Sequence, residues 1–343
     1  MRRESAGNRN FGIPGLMGLA LLTLLCAGGF QTLQAQSDSR WAIIIAGVSG
    51  DPELQKIYLQ EVRDLRLTLE DALKFRREQV VVLFDDPSLD PALIQHKSAR
   101  ESLELVCRSL KSSVRSEDLV FVFIEGHGDY NGKEYKLNLV GPDPTGEELA
   151  EMLYSIPAQR FIVANMTNCS GGSLTALSRK GKVVLTATKS GMEKNLTHTG
   201  QFFVEGLKAG NADRDKDSRV SILEAFNYAS QKVGEYYSDQ GNLQTEHPVL
   251  DDRGDGVGHG QPGAENGQGL LAKTTFMDAG APVLAGAKLG PEEQALVREV
   301  QELERQIEAL KYAKADMQEA EYERQLEALL LKLARTNAEL RKK

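Results

Sequence analysis

Cys169 ends the apolar run Arg160-Phe161-Ile162-Val163-Ala164-Asn165-Met166-Thr167-Asn168, and small residues follow it in Ser170-Gly171-Gly172-Ser173. Earlier in the chain the apolar run Leu119-Val120-Phe121-Val122-Phe123-Ile124-Glu125 ends in Gly126-His127-Gly128. A thiolate is a good nucleophile near neutral pH, and a neighbouring imidazole can take the thiol proton and return it to a leaving amine. If the two runs are adjacent parallel strands, their carboxyl ends bring His127 and Cys169 to the edge where open α/β sheets bind ligands. The chemistry this supports is acyl transfer. Cys169 attacks a carbonyl, His127 handles the proton, and the amides of Gly128 and Cys169 receive the oxyanion, since small neighbours let a substrate approach the backbone.

Such a pair needs a sheet to hold it. Arg40 to Gly47 is a continuous apolar run closed by glycine, as expected of a central parallel strand. Leu54 to Phe75 reads as an amphipathic helix, Gln79 to Phe84 as the second strand, Ala99 to Val114 as a helix and 118 to 125 as the third strand. Tyr135 to Val140 reads as a short hairpin or edge strand, and Thr145-Gly146-Glu147-Glu148 as a capping box opening a helix to Tyr154. Strands at 160–165 and 182–187 and helices near 200–208 and 221–234 complete the pattern. Short apolar strands alternating with helices predict an α/β three-layer sandwich with a mostly parallel sheet.

The ends of the chain differ from this middle. Basic Arg2, Arg3 and Arg9 precede the apolar stretch Phe11 to Phe30, so residues 1–36 read as a signal peptide, with a membrane anchor as the alternative. The protein is then exported. Without Arg2, Arg3, Arg9 and Glu4, the 41 basic and 49 acidic residues become 38 against 48, and this acidic balance argues against nucleic acid as a partner. Cys107 and Cys169 survive cleavage. Cys107 lies on the apolar face of the helix from 99 to 114 and reads as a small buried hydrophobe, which leaves Cys169 a free thiol.

After the domain at 38–250, residues 251–290 are rich in Gly, Asp, Asn and Pro and read as an irregular loop and linker. In 291–343, Leu296, Val300, Leu303, Ile307 and Leu310 step as a coiled-coil seam, and Tyr322, Leu326, Leu329 and Leu333 form a second phase. Two phases around the polar Ala313 to Glu319 fit a helical hairpin or coiled coil that could pair with itself or a partner.

With these residues in place the chain resembles the caspase-like cysteine peptidases, and among them the legumain-like branch of asparaginyl endopeptidases and transamidases. Strand-His127-Gly128, strand-Asn168-Cys169-Ser170-Gly171-Gly172 and Leu185-Thr186-Ala187-Thr188 carry the resemblance, which covers roughly Arg40 to Pro248. It implies a cysteine endopeptidase working through a thioester acyl-enzyme, with His127 and Cys169 at the family's catalytic positions and a peptide or protein substrate. Asn168 departs from the acidic or Ala residue common before the cysteine. No arginine follows the first strand, where legumains read asparagine. Asp51, Ser190 and Glu193 are the candidate pocket residues, and the carboxylates of Asp51 and Glu193 would favour a basic residue before the cleaved bond.

Two further uses of the same chain are open: a catalytically silent caspase-like module acting through its coiled coil, and a transamidase or ligase that resolves the acyl-enzyme with an amine. No cofactor is required by this chemistry. Asp213, Asp215, Asp217, Arg219 (through its carbonyl), Ser221 and Glu224 have the spacing of an EF-hand calcium loop, but Ser218 stands where glycine makes the turn. The same Ser221 to Glu224 stretch is also a capping box that needs no metal.

Overall fold

The structure, a computed structural model, describes residues 39–208, 210, 212–278, 290–314 and 317–340. The segment read as signal peptide or anchor and most of the 280–290 linker lie outside them. Among the described residues, no helix is long and apolar enough to cross a membrane.

The chain runs through β1 (Arg40–Ala46), α1 (Pro52–Leu67), β2 (Val80–Phe84), β3 (His96–Lys97), α2 (Arg100–Ser113) and β4 (Leu119–Glu125). A hairpin of β5 (Gly128–Tyr130) and β6 (Tyr135–Leu137) follows, then α3 (Gly146–Tyr154), β7 (Arg160–Asn165), α4 (Leu174–Leu177), β8 (Lys182–Thr186), α5 (Thr199–Lys208) and α6 (Ile222–Asp239). β9 (Val249–Asp251), α7 (Leu270–Lys273), α8 (Pro291–Ala313) and α9 (Glu319–Leu340) complete it. The seven-stranded sheet has the order β3-β2-β1-β4-β7-β8-β9, parallel throughout except for β9, which runs antiparallel to β8.

The strands are apolar on both faces because helices cover both. Phe121, Phe123, Ile162 and Ala164 pack with Tyr58 and Val62 of α1, Phe203 of α5 and Phe226 of α6. Val120, Val122, Ile124 and Val163 pack on the other side with Leu103 and Cys107 of α2, Leu149 of α3 and Leu177 of α4. This is the expected three-layer α/β architecture. The chain order reverses between β1 and β4, so the loops leaving these two strands diverge and leave a crevice at their carboxyl ends.

Two local differences from the sequence reading have physical causes. The first helix stops at Leu67 rather than Phe75. Thr68 Oγ1 donates to the Asp64 carbonyl at 2.6 Å, and the wide turn Thr68–Ala72 carries the chain out through Lys74 at φ +58°. The stretch after 250 is held by two buried carboxylates: Asp251 accepts the amides of Arg253, Gly254 and Gly256, and Asp252 those of Gly269 and Ala272. Ala272 and Met277 thereby enter the core. In the tail, α8 and α9 fold back on each other, with Lys332 and Glu299 paired at 3.0 Å. α8 also lies against the α/β domain, since Lys273 of α7 reaches Glu308 at 3.9 Å, and Leu303, Ile307 and Leu310 are buried.

Candidate active site

β4 and β7 are neighbours in register Ile124↔Asn165, so the two apolar runs end side by side. Beyond the ladder, the Gly128 amide donates to Asn168 Oδ1 at 2.8 Å. His127 and Cys169 flank that bond, one on each strand extension. Cys169 sits in a left-handed conformation (φ 57°, ψ 4°), unusual for a residue with a side chain, and opens the single turn Ser170–Ser173. The glycines after it are required by close packing. A Cβ on Gly171 would fall 2.3 Å from the Ser190 amide nitrogen, and one on Gly191 would fall 2.2 Å from the Tyr130 ring.

The imidazole of His127 is oriented from the β1 side. Its Nε2 lies 3.2 Å from the Ser49 carbonyl oxygen, and the Tyr58 ring meets it edge-on at 6.1 Å between centroids. In the tautomer with its proton on Nε2, the ring donates to Ser49 and leaves Nδ1 free to accept a proton. Among the described residues, no hydrogen bond joins the His127 ring to Cys169 Sγ. One polar neighbour of the sulfur is the Asn168 amide, whose Nδ2 lies 3.7 Å away. Cys169 is 1 % exposed, and burial pushes its thiol above the ordinary thiol range; the Lys194 ammonium and the Tyr130 amide pull it down, while Asp129 adds to the rise.

Both amides assigned to the oxyanion are occupied in the resting arrangement. The Cys169 amide donates to the Glu193 carbonyl at 2.8 Å, and the Gly128 amide is taken by Asn168. Both donors therefore have acceptors within the chain. The segment after β8 that supplies the Glu193 carbonyl also places the Lys194 carbonyl 3.1 Å from Asn168 Nδ2. Sequence reasoning used Asn168 only as a departure from a family pattern, because a side chain's hydrogen-bond partners depend on loops distant in sequence.

The candidate pocket residues are likewise engaged within the chain. Glu193 Oε1 lies 2.6 Å from His247 Nδ1, and its Oε2 accepts the amides of Lys189 and His247. Lys189 Nζ approaches it to 3.7 Å. Asp51 caps α1 by accepting the amides of Glu53 and Leu54, and Ser190 Oγ accepts the Met192 amide. These groups serve loop and helix ends, so neither carboxylate stands ready for an incoming cation. Another carboxyl, whose Oε1 accepts the Gly126 amide, keeps its second oxygen without a partner. Glu125, just before Gly126-His127, is 3 % exposed with Oε2 unpartnered against Gly200, and the buried Tyr58 hydroxyl is likewise unpartnered. Burial, then Glu61 and Glu246, hold Glu125 well above the usual carboxylate range. Burial and Asp64 push Glu61 to about 7.

The calcium-loop residues converge only in part. Carboxylate oxygens of Asp213, Asp215 and Glu224 lie within 4.8 Å of one another. Asp217 instead accepts the Arg219 amide, and Ser221 Oγ donates to Glu224 Oε2 in a complete capping box. Ser218 takes the positive φ, +69°, that the spacing reserves for glycine. Lys273 Nζ lies 3.0 Å from Asp215, supplying positive charge from the protein itself. Cys107 is buried and free, with its thiol pushed up to about 12 by burial and Glu104.

No family model matches the chain, and no curated protein matches it. Among solved structures it is similar to the Drosophila initiator caspase Dronc, at 11% identity over 64% of this chain and 81% of that one, with a TM-score of 0.40. It is also similar to Raptor from Chaetomium thermophilum, at 12% identity over 61% of this chain and 20% of that one, with a TM-score of 0.34.

Proposed function

We propose that the protein is an exported cysteine endopeptidase of caspase-like type that cleaves peptide bonds with Cys169 and His127. The observation that carries this reading is the Gly128 to Asn168 hydrogen bond, which ties the His127 end of β4 to the Cys169 end of β7 at the carboxyl edge of a parallel sheet. In the reaction the thiol proton passes to His127 Nδ1 while Ser49 holds the opposite ring nitrogen. The sulfur bonds to the scissile carbonyl carbon. As the tetrahedral intermediate collapses, the C–N bond breaks and His127 protonates the departing amine, leaving a thioester that water hydrolyses. Resolution by an amine in place of water gives the transamidase or ligase variant of the same chemistry.

The protein's resting arrangement also favours a second reading, a silent binding module, because the thiol is buried, its acidity is weakened and its amide is occupied. An electrophilic peptide probe combined with a fluorogenic peptide library separates the two. Labelling and turnover that vanish in Cys169→Ala and His127→Ala, with folding intact, support the peptidase. A wild-type protein that takes no label and cleaves nothing leaves the binding module.

A further inference from the structure

The side chain of Asn168 occupies a position that the backbone hydrogen bonds make informative. Its Oδ1 faces an N–H donor, Gly128, and its Nδ2 faces a carbonyl acceptor, Lys194, so the two partners together fix which end of the amide is which. The second hydrogen on Nδ2 is directed at Cys169 Sγ, 3.7 Å away. The Gly128 amide cannot serve an oxyanion while Asn168 Oδ1 covers it. Polarised by that bond, Asn168 presents a strengthened donor on the other side of its carboxamide. The neighbouring carbonyls of Glu193 and Lys194 rest on the Cys169 amide (2.8 Å) and on Asn168 Nδ2 (3.1 Å). Two donors beside the sulfur are thus matched with two carbonyl oxygens of the same loop.

We propose that Asn168 Nδ2, together with the Cys169 amide, forms the oxyanion hole of the reaction, in place of the Gly128 amide. This inference rests on the peptidase reading of Cys169. When the 193–194 segment withdraws, both donors are released beside the sulfur. The thiol proton goes to His127 and the sulfur bonds to the carbonyl carbon. The carbonyl π pair moves onto oxygen, which accepts from Asn168 Nδ2 and the Cys169 N–H. On collapse that pair re-forms the C=O bond and the amine leaves with the proton from His127. The Glu193 and Lys194 carbonyls occupy the same donors at rest, so they are internal stand-ins for the substrate oxygen. Loss of one preorganised oxyanion donor lowers kcat by about 10²–10³-fold.

The test compares wild type with Asn168→Ala and Asn168→Asp, using the fluorogenic peptide that the wild type cleaves fastest and the peptide aldehyde of the same sequence. The aldehyde forms a hemithioacetal whose oxygen samples the same hole. Asn168→Asp keeps an acceptor for the Gly128 amide but exchanges the donor for a negative charge, so it serves as the folding control while Asn168→Ala carries the test of the donor. The expected result is a fall in kcat of about 10²–10³-fold in both variants, with KM within about threefold and aldehyde affinity lost by a similar factor. Iodoacetamide alkylation of Cys169, measured above the thiol's titration, should change little. An Asn168→Ala protein with undiminished or raised kcat would overturn the proposal and make Asn168 a plug over the Gly128 amide. Parallel loss of kcat and alkylation with aldehyde affinity kept would reduce Asn168 to a positioning residue. A wild type that neither cleaves nor captures the aldehyde removes the nucleophile, and then the peptidase reading falls along with this one.

Discussion

The Glu193 carbonyl accepts the Cys169 amide at 2.8 Å, while the Glu193 carboxylate meets His247 Nδ1 at 2.6 Å. One residue therefore covers the Cys169 backbone and anchors the covering loop to the segment before β9. Glu193→Gln keeps the shape but weakens the charged anchor, and His247→Ala removes its partner. Both should speed iodoacetamide labelling of Cys169, by about tenfold if the anchor contributes ~1.4 kcal/mol to the closed loop. Mass spectrometry of the labelled peptide measures this; an unchanged rate would show that the loop opens independently of that pair.

The pH dependence of that labelling has a defined sign. Burial raises the Cys169 thiol from its ordinary value, so at neutral pH the thiol form dominates and little thiolate is present. In the resting protein the alkylation rate should keep rising as pH passes 9, the ordinary value. Saturation below pH 8 would mean that His127 or Lys194 already stabilises the thiolate at rest. Cys107, pushed higher still and buried, should stay unlabelled while the protein is folded.

Glu61, Glu125 and Glu246 should make stability fall with rising pH. A carboxyl whose folded value is raised favours the folded state below its unfolded value near 4.5, and that contribution is lost as pH rises through the folded value. For Glu61 the window runs from about 4.5 to about 7. Groups packed around Glu125 include Tyr58 and Glu61 of α1, Gly200 of α5 and Glu246. The melting temperature should drop between pH 5 and pH 8, and Glu125→Gln should flatten that drop while leaving the acid-side stability nearly unchanged. Calorimetry across the range decides it, a flat wild-type profile being the adverse outcome.

The acidic loop at 213–224 should hold its shape without calcium. Lys273 neutralises Asp215, and backbone amides satisfy Asp213 and Glu224. Adding EDTA should leave the melting temperature unchanged. A rise with millimolar calcium that disappears in Asp213→Ala would instead make the loop a metal site.

Deleting 291–343 should cost stability and spare the chemistry. Leu303, Ile307 and Leu310 are buried, and a fully buried Leu or Ile contributes roughly 1.5–3 kcal/mol, but none of the residues around Cys169 lies on α8 or α9. The expected outcome is a lower melting temperature with kcat retained on a small peptide. Loss of kcat in a folded deletion protein would assign the hairpin a part in the site.

Much of this was legible in the sequence because it depends on short-range periodicity. The short apolar runs 40–46, 119–125 and 160–165, closed by glycine or polar residues, read as buried strands and are strands, and the capping boxes read at Thr145 and Ser221 both form. Cys107 was placed correctly in the core by the helical face it shares with Leu103 and Leu110. The tertiary structure alone decided what each polar group near the sulfur touches. Glu193 and Asp51 had the right charge for a pocket, yet His247 and the first turn of α1 claim them. Ser49 reached His127, and Asn168 reached Gly128 and Lys194, through loops that converge only when the strands pair. Hydrophobic burial is set by a residue's own type and the period of its neighbours, whereas a hydrogen bond needs two groups within about 3 Å at a defined angle. That relation between distant parts of the chain exists only once the sheet has assembled.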